Sequence, residues 1–262
     1  MRLVVCGCSW SSECHQYPNT GYGSYLAEYL QAEYINLARP SASNYVIRTQ
    51  IDYACEHLAP DLVVVSWTTP ERFTWKFRDQ DSYMPETALQ QITYYDTPER
   101  TNSFHPVPGM EPCVASESWS HLFGVYDHNI DNILNADSPN ADIGKNILTA
   151  DQFDVLKKYF LHFVDTDLLK HEQYYLVESA VAQLQRTGVK FLMARPWTAE
   201  AGAYHDWNFI PTENFVDSHP REYMDIRRGK QHTVHHLHPR DQHRFAVKEL
   251  LPKATALLKC SV

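Results

Sequence analysis

Three observations predict an α/β fold built on a doubly wound parallel sheet. Strand and helix signals alternate with short connections over the first 70 residues. A fourth apolar run, Lys190-Phe-Leu-Met-Ala194, follows a long helical stretch, and an amphipathic segment closes the chain. Between the third and fourth apolar runs lies a long irregular segment, expected as an insertion at about 71–146 within one domain spanning 1–262.

Residues 2–6 (Arg-Leu-Val-Val-Cys) form a short apolar run suited to a buried parallel strand, with Cys8 as a small residue in the turn that follows. A helix is expected over 24–31, where Leu26, Tyr29 and Leu30 recur at helical spacing. Residues 34–37 read as the second strand. Ser43 is a candidate cap for a helix running to about His57, with Tyr45, Val46, Ile51 and Ala54 near 3.6-residue spacing. Pro60-Asp61 punctuates, and residues 62–65 (Leu-Val-Val-Val) give the third strand. Thr149 is the expected cap of a helix over 150–163, and a longer helix spans about 168–187 until Gly188 stops it. Residues 190–194 are the fourth strand, 195–234 read as irregular, and a last helix begins after Pro239 with Phe245, Val247, Leu250 and Leu251 on one stripe.

Composition narrows the function. A net charge of −9 argues against general nucleic-acid binding, which needs a surplus of Lys and Arg on one face. No run approaches the roughly 20 apolar residues of a membrane span, and the leading residues are too short for a signal peptide, so a cytoplasmic setting is expected. Only 9 Gly makes a glycine-built phosphate loop unpromising. The six cysteines (6, 8, 14, 55, 113, 260) read as reduced thiols. Cys6, Cys8, Cys14 and His15 offer a possible metal cluster, as do His232, His235, His236, His238 and His243. A strand end with its turn, and a solvated basic loop, are the preferred readings, so no metal and no cofactor is expected.

In an open parallel sheet, ligands gather at the carboxyl ends of the strands. Those ends carry Gly7-Cys8-Ser9, then Ser41-Ala42-Ser43-Asn44, then Ser66-Trp67-Thr68-Thr69, with His238-Pro239 before the last helix. A serine and a histidine brought together there would make a nucleophile and a base. Trp67, Trp75, Trp197 and Trp207 would either line a pocket or pack the core, and Arg39 and Arg72 would either hold an anionic group or meet solvent.

These residues resemble the sequence blocks of the SGNH hydrolases, flavodoxin-like three-layer serine esterases and acetyl-hydrolases. Val4-Val5-Cys6-Gly7-Cys8-Ser9 is similar to the Gly-Asp-Ser block, with Cys8 where Asp is usual. Asn36-Leu-Ala-Arg-Pro-Ser41-Ala-Ser-Asn44 resembles the second block, with Ser41 in the place of a common Gly. The run from Pro60 to Arg72 resembles the strand leading into the third block, and His238-Pro239 with His243 and Ala246 resembles the fifth. The pattern is most similar to a divergent branch associated with bacteriophage-encoded members, which would put the protein in a host cytoplasm or a virion.

The resemblance implies Ser9 as nucleophile, the backbone N–H groups of Ser9 and Ser41 as oxyanion donors, and His238 as general base. Asn44 belongs to the same segment, either as an oxyanion or substrate contact in an active-site loop or as a polar residue early in the helix. Two departures stand out. No Asn lies between Asp61 and Arg72 to complete the oxyanion hole, which leaves Thr68, Thr69 or Arg72 as replacements. The Asp expected three residues before the base is His235, so Asp217, Asp225 or Asp241 would have to supply the carboxylate. A rival register sets Asp217-Ser-His219-Pro220 in the fifth block; it ranks lower because no apolar helical repeat follows Pro220. The expected function is hydrolysis of an acylated carbohydrate or similar small ester through a Ser9 acyl-enzyme. The alternative is a catalytically impaired relative serving as a carbohydrate-binding or structural, virion-associated protein. Neither reading involves nucleic acid or a membrane.

Overall fold

In the computed structural model, residues 1–12, 19–38, 42–70, 150–163, 165–195, 207–223 and 238–259 are described. The strands are β1 (Arg2–Gly7), β2 (Glu33–Asn36), β3 (Leu62–Ser66), β4 (Lys190–Ala194) and β5 (Phe215–Val216). All pair in parallel, in the order β2-β1-β3-β4-β5. The helices are α1 (Tyr22–Leu30), α2 (Asn44–Tyr53, continued by a π-turn over Ala54–Leu58), α3 (Ala150–Phe163), α4 (Thr166–Thr187), α5 (Pro239–Phe245, continued by a π-turn over Ala246–Leu250) and α6 (Leu251–Lys259).

Both sheet faces are covered, which is why the central strands read as unbroken apolar runs. Alternate residues of one strand feed two separate cores. Leu3, Val5, Leu62, Val64 and Leu192 pack with Tyr22 and Leu26 of α1 and Phe245 of α5. Val4, Cys6, Val63, Val65 and Met193 pack with Ile47 and Ile51 of α2 and with Val177 and Leu184 of α4. This is the expected three-layer, flavodoxin-like arrangement. The insertion expected at 71–146 lies outside the described residues.

Caps account for several boundaries. The Ser43 hydroxyl accepts the N–H of Val46, as expected for the start of α2. Gly188, at φ 71°, ends α4 in the left-handed conformation. That helix begins two residues before the expected Leu168, because the Asp165 carboxylate accepts the N–H groups of both Asp167 and Leu168. Helix α1 also begins earlier than expected, at Tyr22 rather than Ser24. Its first N–H is satisfied by the Gln242 side chain of α5, 220 residues away, so no local cap announces it.

Strand β5 falls inside the stretch expected to be irregular, a difference from the expectation. It has two residues, too few for a periodic signal, and its ladder is extended by Met193 N–H to Asn214 O and Arg195 N–H to Val216 O. No helix among the described residues is long and apolar enough to cross a membrane.

Candidate active site

The strand order reverses at β1: β2 lies on one side of it and β3, β4 and β5 on the other. The crevice of such a sheet opens above the carboxyl ends of β1 and β3. Gly7 and Ser66 are register partners at those ends. A Cβ on Gly7 would collide with the Ser11 side chain and stand 3.1 Å from the Ser66 carbonyl oxygen, so only glycine lets the chain turn here.

Ser9 sits in that turn, 6% exposed. The N–H groups of Ser11 and Ser12 both donate to the Cys8 carbonyl, at 2.9 and 3.1 Å, and the Ser12 hydroxyl donates to the Ser9 carbonyl. Asn36, at the end of β2, donates its side-chain amide to the Ser11 carbonyl. Gln50 of α2 pins the strand end from below: its amide oxygen accepts the Gly7 N–H at 2.8 Å and its amide nitrogen donates to the Gly7 carbonyl. This role of the Gln50 side chain was not expected from the sequence. A polar residue set beside apolar Ile47 and Ile51 on a core-facing stripe was the available signal.

Asn44 does not present its amide to the crevice. Its Oδ1 accepts the Thr68 N–H at 2.9 Å and its Nδ2 donates to the Thr68 carbonyl at 3.1 Å. Both polar ends serve the backbone after β3, which makes Asn44 a support for that segment rather than the expected substrate contact. Gln173 of α4 donates to the same carbonyl at 3.3 Å. The hydroxyls of Thr68 and Thr69 are buried and find no hydrogen-bond partner among the described residues. Of the candidates for the missing oxyanion donor, these two stand directly after β3 with their hydroxyls unpartnered among the described residues. Ser41, Arg39 and Arg72 lie outside the described residues.

His238 is exposed and caps α5. Its Nδ1 accepts the Arg240 N–H at 3.3 Å. A backbone N–H can only donate, so a neutral ring in this pose carries its proton on Nε2. Of the carboxylates weighed as its partner, Asp217 is exposed and paired with Arg195, and Asp225 lies outside the described residues. Asp241 is 2% exposed and stands three residues after His238, the capping-box position. Its Oδ1 makes no hydrogen bond among the described residues and lies 3.9 Å from Arg244 Nη1. His235 lies outside the described residues.

His219, the histidine of the lower-ranked register, is brought to the carboxyl end of β3. His219 is 2% exposed; its Nε2 lies 3.4 Å from the Ser66 hydroxyl, and its ring packs edge-on against Trp10. Nearby, burial pushes the Tyr22 hydroxyl well above the ordinary tyrosine range, while the neighbouring Ser11 and Ser66 hydroxyls act in the opposite direction. Burial likewise pushes the Cys6 thiol up, so this cysteine is a packing residue rather than a nucleophile.

Trp67 is fully buried in the core, and Trp207 packs with Tyr174 and Phe209; Trp75 and Trp197 lie outside the described residues. Cys6, Cys8 and Cys55 are free thiols. Among the described residues no three His, Cys, Asp or Glu side chains gather as a metal site, and most of the two clusters weighed from the sequence falls outside them. The chain matches no protein-family model, no curated protein and no solved structure.

Proposed function

We propose that this protein is a serine hydrolase of the SGNH type that removes an acyl group, foremost acetyl, from a carbohydrate or similar small ester. The observation that supports this reading is the strand order. It sets the Ser9 turn and the unused Thr68 and Thr69 hydroxyls just beyond the two strands that border the point of reversal.

In this mechanism Ser9 Oγ attacks the ester carbonyl while His238 takes its proton. The tetrahedral oxyanion is held by the Ser9 N–H and a threonine hydroxyl after β3, with the Ser41 N–H as the further donor implied by the resemblance. The C–O bond then breaks, and the leaving alcohol receives the proton from His238. Water repeats the sequence on the acyl-enzyme, releasing the free acid and Ser9. To act as base, His238 must release the Arg240 N–H, which costs about 0.5–1.5 kcal/mol for a long neutral hydrogen bond. Asp241 is the buried carboxylate on the same turn that would balance the imidazolium.

One observation favours a second reading. His238 is engaged as a helix cap, with the lone pair of its Nδ1 accepting the Arg240 N–H, which suits a non-catalytic binding or structural descendant of the fold. A fluorophosphonate probe separates the two. The hydrolase reading expects labelling that is lost in Ser9→Ala and kept in Ser11→Ala. Folded protein that takes no label from pH 6 to 9 supports the binding protein instead.

A further inference from the structure

We infer that His219 is a positioning residue that holds the Ser9 turn from the far side of the sheet. The strand order places β4 between β5 and β3. Yet His219, three residues beyond β5, reaches the Ser66 hydroxyl at the end of β3 and the ring of Trp10 in the turn after β1. The connection from β5 therefore passes beyond the end of β4 to reach β3.

The crossing is braced at its base. Arg195, just after β4, pairs with both Asp217 and Glu222. Glu222 also accepts the His219 N–H at 3.1 Å, and its own N–H donates to the His219 carbonyl. One carboxylate thus joins the backbone of His219 to a guanidinium anchored on the neighbouring strand. The imidazole lies inward of this brace, and the residue is 2% exposed.

What it meets there determines its effect. Ser66 is the register partner of Gly7, and Trp10 follows Ser9 directly. His219 therefore touches both sides of the turn: the strand pair on which it starts and the first side chain after the serine. Asn36 and Gln50 hold the backbone of the same segment from β2 and α2. His219 is its support from the β5 side, acting on catalysis chiefly through the ring of Trp10, with the long Ser66 contact secondary, rather than on substrate.

The activity arm of the test rests on the hydrolase reading; the structural arm does not. His219→Phe keeps an edge-on ring against Trp10 and loses the contact to Ser66, whereas His219→Gln keeps an amide that can reach Ser66 and loses the ring. Amide hydrogen exchange at Ser11 and Ser12 reports the turn, and exchange across β1 reports whether each variant is folded. His219→Gln is expected to speed exchange at Ser11 and Ser12 by about tenfold or more with β1 still protected, and His219→Phe to stay near wild type. Unchanged exchange at Ser11 and Ser12 in a folded His219→Gln overturns the inference.

With p-nitrophenyl acetate as substrate, His219→Gln should lower kcat about a hundredfold with little change in KM, as for a catalytic group displaced by about 1 Å, and His219→Phe should restore most of it. A loss near 10⁴-fold in both variants, with β1 protected, makes His219 the base itself and also overturns the positioning role. If wild-type protein takes no fluorophosphonate, the hydrolase reading fails while the exchange result still decides the inference.

Discussion

The hydrogen bonds between Asn44 and Thr68 allow a quantitative test of how the end of β3 is held. Thr68 is fully buried, and Asn44 supplies an acceptor for its N–H and one of two donors to its carbonyl, Gln173 being the other. Asn44→Ala strands the N–H, at about 1–3 kcal/mol, and removes one bond from a carbonyl that keeps its second partner, at about 1 kcal/mol. The expected total is about 2–4 kcal/mol. Gln173→Met keeps the stem and removes only the second donor, at about 0.5–1.5 kcal/mol. The double variant leaves the carbonyl with neither donor, so its cost should exceed the sum of the two by about 1 kcal/mol or more. Urea unfolding measures all three; an unchanged slope with a midpoint lowered by about 1 M is expected for Asn44→Ala. Equal costs for the two single variants, or strict additivity in the double, would refute the claim that Thr68 depends on this shared arrangement.

Three further outcomes follow from the same geometry. Gly7→Ala should destabilise by about 1–3 kcal/mol, read as a lower urea midpoint, because its Cβ collides with the Ser11 side chain and presses on the Ser66 carbonyl. Asp165→Ala should cost about 1 kcal/mol, since two N–H groups at the start of α4 lose their acceptor. Tyr22 concerns alkaline stability. Its folded pKa is raised by burial above the ordinary value of 10.0, so its contribution is complete below pH 10 and is lost as pH rises beyond it. Tyr22→Phe should therefore flatten the alkaline limb of a stability-against-pH curve and leave neutral pH nearly unchanged; an identical limb in both proteins counts against the buried-hydroxyl explanation.

Where the sequence was legible, the cause was local or periodic. Residues 62–65 read as a strand because covering both faces of a parallel sheet demands apolar side chains on both. Ser43 and Gly188 read as helix boundaries because each acts on its own neighbours. Illegible features depend on partners far along the chain. Gln242 sets the start of α1, and β5 is a two-residue strand held by β4. The candidate site divides in the same way. Ser9, Thr68 and Thr69 could be placed by counting from strand ends, but the use of each side chain could not. Asn44 read equally as an active-site loop residue and as a polar residue early in the helix; the backbone of Thr68 engages both ends of its amide. His219 was ranked low because no helix follows it. The sequence carried no sign that the chain crosses β4 and sets that ring against Trp10.

By itself, then, the sequence determined a parallel α/β sheet and the segments that end at its carboxyl edge, because period and turn chemistry act within a few residues. Only the tertiary structure decided which polar groups at that edge are engaged and which have no hydrogen-bond partner among the described residues. Hydrogen-bond partnership there is settled by side chains of α2, α4 and the β5 connection, tens to hundreds of residues away, and no local pattern encodes it.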